Sequence, residues 1–519
     1  MRLSARAVAP RRLVARRLYP WGVPSIVRAV LSAVTASCVV IGAAGCVQTP
    51  APLPSGTASS SAPPRPFTVL TEQRANTTDP AGGRNDSDAM VTLDLFQRLM
   101  LVQPSTQLLK PDLAKECLFT AAQVYECTLP KDVVFTSGRG LTSADVKFSI
   151  LRAIRLAPQK MSMLAALRSI ETPDDTTVRF RLKYPDNQFG FGLAVPAASI
   201  VDHVAYDSDK LRPVEQAPIG TGPYQLDSWD SKGLTIARYA RYRGPLGTDM
   251  PRIRIAWSDS PTVEEALTDA KAEIVWRTLS PAAIDRLQNR IVQDQDDGRP
   301  AGYFRWGLPR VVLQRLVWLS RSPYRANASL RNAVALALQE DRTASSILPS
   351  MIEGHTDTFA LGGEPKMPKL EPGIALALRF TDSSPAMEDL ANHVRDTLQQ
   401  KLGITVQLVT ESERADLELR DSAPMVNTAV GWLQDYLKNP LPGSAGKLSN
   451  LEERIRSSSR EDVQQPALVE IQKQAAADAT VVPIAETDGV LFLRQRVDLV
   501  GEAFGPGWQL ALWGARWRN

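Results

Sequence analysis

The stretch PIGTGPYQLDSW, residues 218–229, sets two glycines and two prolines within six positions and then runs into an alternating segment. Pro218 and Pro223 fix φ, and Gly220 and Gly222 admit φ > 0, so the backbone is shaped here rather than left loose. A phosphate-binding loop would continue into Lys-Ser/Thr and a helix, whereas a strand pattern follows. The turn therefore reads as the entry to a strand inside a larger α/β unit.

Working outward, short strands alternate with helices. TSADVKFSILRAIRLA carries a Ser/Thr cap ahead of apolar residues at helical spacing. SIETPDDTTVRFRLKYP reads as strand, Pro-Asp-Asp turn, strand, and TVEEALTDAKAEIVW as helix then strand. SLRNAVALALQEDRTASSIL and AMEDLANHVRDTLQQKLGI are amphipathic helices, and ALALRF and TVQLV flank the second of them. That order, closed by a short KLGI return, predicts a parallel βαβ unit. REDVQQPALVEIQKQAAAD is a further long helix, and no repeat of solenoid length is present.

At 519 residues the chain can build two or three domains, and the position of its charge matters more than the total. Residues 1–45 hold seven arginines and no Lys, Asp or Glu, so the net +4 of the whole chain becomes −3 without them. That balance gives no electrostatic footprint for nucleic acid. The arginine-rich start, the apolar run AVLSAVTASCVVIGAAG and the tetrapeptide AAGC (43–46) read as an export signal of 1–45, with cleavage and lipidation at Cys46. An uncleaved anchor helix is the rival, and either way the rest of the chain lies outside the cytoplasm. Residues 46–66 form the lipidated Cys and a Pro/Ser-rich tether that cannot bury a core. Cys117 and Cys127, ten apart in ECLFTAAQVYECTL, read as a disulfide closing a hairpin in an oxidising compartment.

Enzyme chemistry has no visible anchor. There are three histidines, no HExxH and no GxSxG, so no catalytic residue, metal or cofactor is assigned. The ten tryptophans are more informative, several lying in DSW, FRWGLP, VGWLQDY and GPGW. VGWLQDYLKNP, residues 430–440, follows the expected strand MVNTAV, and strand-end loops of α/β domains are where ligands bind. Asp435 there either holds a cationic group or caps the next turn.

These segments together resemble the family 5 extracellular solute-binding proteins, the oligopeptide, dipeptide and nickel receptors of ABC importers. PIGTGPYQLDSW follows the family's P-[IV]-G-T-G-P-Y turn and strand; YECTLPKDVVFTSGRGLTSADVKFSILRAI follows its strand, basic turn and T-A-x-D-V-x-[FY]-S helix entry. DLFQRLM stands at its Y-E-G-L helix, SLRNAVALALQEDRTASSIL at VRQAISYAIDREAI, and VGWLQDYLKNP at GW-x-x-DY-x-DP, in order across residues 67–500. FTSGRG lacks the family's usual acid, Ser320 stands for Asn, and Asn439 replaces the second acid of DY-x-DP.

The resemblance implies an α/β, two-lobed, type II periplasmic-binding-protein-like fold with an extra subdomain. Lobe I would take 67–300, with the subdomain near 96–200; lobe II would take 301–484, and 485–519 would return to lobe I. The opening turn would place a strand near the ligand cleft. Asp435 would pair with a ligand's α-amino group, Gly431, Trp432, Leu433 and Gln434 would bond a peptide as an extra strand, and Tyr436 would complete the set. The implied partners are permease subunits, a peptide or peptide-like solute and the membrane through the lipid, with the receptor a monomer. A sensor or surface-interaction lipoprotein of the same fold is the alternative, as are haem, nickel, opine or oligosaccharide ligands. An extracytoplasmic hydrolase would need a nucleophile–base pair that the sequence does not offer.

Overall fold

The computed structural model describes residues 66–71, 73–257, 272–276, 281–297, 302–380, 385–410, 412–500 and 503–518. The export signal, Cys46, the tether up to residue 65 and the helix expected at the start of TVEEALTDAKAEIVW lie outside them. The first described strand, β1 (Phe67–Thr71), is followed by the helix Asp86–Leu95. The hairpin of β2 (Met100–Gln103) and β3 (Leu108–Pro111) comes next. Then β4 (Glu116–Ala121), β5 (Val124–Thr128), β6 (Leu167–Asp174) and β7 (Thr177–Leu182) form a four-stranded sheet in the order β4-β5-β7-β6. The helix Ser143–Leu156 is inserted between β5 and β6. Its first turn is closed by a reciprocal cap between Thr142 and Asp145, as TSAD predicts.

The remaining strands of the main sheet are β8 (Tyr224–Asp230), β9 (Gly233–Arg238), β10 (Arg252–Trp257), β11 (Ile274–Trp276), β12 (Tyr303–Trp318), β13 (Ala375–Phe380), β14 (Thr405–Val409), β15 (Leu417–Ser422) and β16 (Val481–Arg494). With β1 they give the order β14-β13-β15-β12-β16-β11-β1-β10-β9-β8. The helix Pro385–Leu402 joins β13 to β14 in the parallel βαβ unit that ALALRF and TVQLV predict. Two long strands run through both halves of the sheet. β12 pairs with β15 through Leu313–Trp318 and with β16 along its length, and their register shifts between Leu308 and Val312 opposite Gly489 and Thr487.

Three large apolar cores follow from this topology among the described residues. One gathers β13, β14, β15 and the helices Pro385–Leu402, Ala445–Ser457 and Glu461–Asp478 around Leu378, Val394 and Ile471. A second lies under β1, β8, β9 and β10 with the C-terminal segment 503–515, around Val69, Ile255 and Leu510. The third fills the four-stranded sheet around Phe135, Phe180 and Phe189. Cys117 and Cys127 sit directly opposite each other on β4 and β5 and are joined as a disulfide.

The opening turn does different work from that expected. Neither Gly220 nor Gly222 is among the glycines with positive φ. Both are required by close approach: a Cβ on Gly220 would lie 2.2 Å from Leu95 O, and one on Gly222 2.4 Å from Leu95 C and 2.5 Å from Phe96 N. Gly222 N–H donates to Leu95 O at 3.0 Å, and Gly220 O accepts from Thr136 N at 3.0 Å. The turn thus pins the end of the Asp86–Leu95 helix to the FTSGRG turn. The strand it feeds, β8, is the edge of the main sheet, about 24 Å across the sheet from β16 at ordinary strand spacing. It does not place that strand beside the crossing strands.

Candidate ligand-binding site

VGWLQDY is helical. The helix Ala429–Leu437 starts at Thr428, whose hydroxyl accepts from Gly431 N–H at 3.1 Å. The expected strand MVNTAV is instead a bridging segment, 425–428, followed by the first helical turn. The reason is packing: Val430, Leu433 and Tyr436 recur at helical spacing and all enter the core of the β13–β15 half. Gly431 cannot carry a side chain, since its Cβ would fall 2.0 Å from Val426 O.

This placement corrects the extra-strand reading of Gly431–Gln434, because their backbone bonds are spent within the helix. Trp432 is 2% exposed, packed with Leu313, Leu348 and Ile352, and its Nε1–H donates to Asn427 Oδ1 at 2.9 Å. Leu433 is core, Gln434 Nε2 donates to Glu452 at 3.1 Å, and Tyr436 OH donates to Asp478 at 2.6 Å. Asp435 alone among the six keeps a substantial opening, with 37% of its side chain exposed.

Asp435 is not a lone acid. Arg315 Nη1 on β12 donates to its Oδ2 at 3.2 Å, and Arg420 Nη2 on β15 lies 3.1 Å from the same oxygen. Both guanidinium groups therefore sit on one oxygen of the carboxylate. Burial would raise the Asp435 pKa; Arg420, Arg315 and Lys438 outweigh it and hold the group below the usual carboxylate range. Arg315 is buried, lies over the Trp432 ring at 5.5 Å and donates to Ile347 O at 2.7 Å; burial lowers its pKa to about 10. Arg420 also pairs with Glu418 at 3.2 Å, and Lys438 donates to Gln159 O at 2.9 Å. The sequence signal for the arginines was a basic residue alternating with apolar ones in VVLQRLVW and LELRDS. Nothing in those strands names the acid they meet.

Among the described residues, the one group of His and acids close enough to share a cation is Asp145, Asp202 and His203. Arg139 already occupies it, pairing with Asp145 and, at 2.8 Å, with Asp202. His355 and His393 each lie beside a single Asp.

The class these features define is that of bilobal solute-binding proteins, and comparison with known proteins agrees. The profile of the bacterial extracellular solute-binding proteins, family 5 (middle region), matches residues 109–363 of this chain. It is 28% identical over 358 residues to the peptide transport periplasmic protein SapA of Salmonella typhimurium, covering 60% of this chain and 61% of that protein. It is 30% identical over 181 residues to the probable D,D-dipeptide-binding periplasmic protein DdpA of Escherichia coli, covering 32% and 34%. The chain thus spans less than two thirds of the length of these relatives. The fold matches the crystal structure of a dipeptide-binding protein from Pseudoalteromonas sp. SM9913 in complex with Met-Leu. The TM-score is 0.74 at 16% identity, over 88% of this chain and 100% of that one. It also matches the binding protein AgaA in complex with agropinic acid, with a TM-score of 0.73 at 18% identity over 88% and 99%. The relatives are solute-binding proteins, not enzymes. No helix among the described residues is long and apolar enough to cross a membrane.

Proposed function

We propose that this chain is the receptor of an ABC importer, delivering a peptide or peptide-like solute to the permease subunits, and that Asp435 holds the solute's amine. The observation that carries the reading is the sharing of Asp435. Both arginines bond Oδ2, and the side chain remains 37% exposed, so Oδ1 can accept from an ammonium. The arginines also keep the carboxylate ionised and aimed. The peptide-transport and dipeptide-binding names of the relatives support the solute class.

A second reading is suggested by the three cations that act on Asp435, namely Arg315, Arg420 and Lys438: a solute carrying carboxylate as well as amine, such as an opine. A lipid on Cys46 would hold the receptor at the outer face of the cytoplasmic membrane, and Cys46→Ala would release it or leave it unprocessed. Native mass spectrometry of protein purified without refolding tests the solute class. A retained peptide or amino-acid conjugate is expected; a retained neutral sugar or metal complex refutes the amine-anchor reading.

A further inference from the structure

The segment 424–427 ties the three apolar cores together. Val426 is fully buried in the core of the four-stranded sheet, and Met425 packs against the same core, with Ser162 Oγ 3.8 Å from its sulfur. Yet the chain on either side, β15 and the Ala429–Leu437 helix, belongs to the β13–β15 half. Asn427 sits at the junction, 8% exposed. Its backbone N–H donates to Pro506 O at 2.7 Å, in the C-terminal segment of the β1–β10 half. Its Nδ2 donates to Pro104 O at 2.9 Å, in the turn of the β2–β3 hairpin. Its Oδ1 accepts from Trp432 Nε1–H at 2.9 Å. The amide orientation is set by its partners, because an indole N–H can only donate and a carbonyl can only accept.

The GPGW loop is built to meet this segment. A Cβ on Gly507 would lie 2.0 Å from Pro424 O, so no other residue fits there. Trp508 takes φ +66°, a left-handed conformation that side chains rarely adopt, and its ring packs edge-on to Phe504 at 5.6 Å. Strain at that position is sustained where the surroundings over-determine it, and the contact with 424–427 supplies such a surrounding.

We propose that Asn427 is a positioning residue: by bonding the C-terminal segment, the β2–β3 hairpin and the Ala429–Leu437 helix it holds the lobes together and fixes the helix that carries Asp435. Trp432, beneath Arg315, connects this junction to the carboxylate. The inference rests on the two-lobed fold, and on the peptide reading only for the ligand arm of its test.

Asn427→Asp separates the bonds. The variant keeps an acceptor for Trp432, loses the donor to Pro104 O and sets a carboxylate oxygen against that carbonyl. Val426→Ala, which shrinks the buried plug, is the second variant. In the ligand-free protein, hydrogen exchange in 424–428 and 504–510 should accelerate at least tenfold in both, while β13 and β15 stay within twofold. The radius of gyration by small-angle scattering should rise. With trialanine as probe, dissociation should be about tenfold faster in Asn427→Asp. Parent-like exchange and scattering in both variants overturn the proposal. Uniform acceleration that includes β13 and β15 also overturns it, because that marks plain loss of stability. Trialanine that fails to bind even the parent refutes the peptide reading instead, and exchange and scattering then decide the clamp.

Discussion

Replacing Asp435 by Asn should weaken the free protein as well as its ligand complex. Arg315 is 2% exposed at its side chain, and Asp435 is the one acid with which it pairs among the described contacts; its other described partners are the carbonyls of Ile347 and Trp432. Removing one partner of a fully buried pair costs about 3–5 kcal/mol, because a charge is left without its counter-ion. Here the acid is 37% exposed and water can reach the vacated position, so the expected loss falls to about 1–3 kcal/mol. Arg420 keeps Glu418 and should contribute little to that loss. Thermal unfolding should shift down by a few degrees, at roughly 2–4 °C per kcal/mol in a domain of 150–250 residues and less in a larger body. Arg315→Met in the same background should recover most of the shift, because it removes the stranded charge. Calorimetric titration with trialanine and its N-acetyl form then separates stability from recognition: Asp435→Asn should lose tenfold or more for the free amine and nothing for the acetylated peptide. An unchanged transition in Asp435→Asn refutes the dependence of Arg315 on Asp435, and equal affinity for trialanine refutes the amine anchor. The pH sign follows from the lowered pKa. This carboxylate's contribution is complete above its unfolded value of 3.8 and is lost as pH falls through the lower folded value, so Asp435 itself should contribute no change between pH 7 and 5.

Other tests address the scaffold. Opening the Cys117–Cys127 bond should cost about 2–3 kcal/mol on the loop-entropy model, read as a lower denaturant midpoint after reduction; two reactive thiols in the native exported protein refute the bond. Gly222→Ala should destabilise by about 1–3 kcal/mol or more, since its Cβ meets the backbone of Leu95 and Phe96 rather than a movable side chain; a parent-like melting curve would contradict the close approach. Asp94, fully buried and accepting from Leu512 N–H at 3.1 Å, is pushed up by burial to about 8. The folded state then binds the extra proton, so stability should fall as pH rises from about 4 towards 8, by about 1.4 kcal/mol per pH unit at most, and Asp94→Asn should flatten that segment of the profile.

How much of this was legible beforehand depended on the range of the forces involved. The Thr142–Asp145 cap, the βαβ unit around Pro385–Leu402 and the β6–β7 turn were readable because their bonds close within a few residues or within one repeat of strand and helix. The pairing of Cys117 with Cys127 was readable because a hairpin brings ten-residue neighbours opposite each other. VGWLQDY departs from expectation: the family resemblance implied extension at Gly431–Gln434, whereas the apolar spacing fits a helix, and burial of Val430, Leu433 and Tyr436 decided for the helix.

By itself the sequence determined the resemblance to family 5 and the strand-entry turn at 218–223, since these rest on local backbone chemistry and on segments recurring in fixed order. Only the tertiary structure decided why Gly220 and Gly222 must lack side chains, as the obstacle is the backbone of Leu95 and Phe96, more than 120 residues earlier. It also decided the company Asp435 keeps. Arg315 lies 120 residues away, and a carboxylate's charge state and free lone pairs are fixed by what packs around it, which no local pattern encodes.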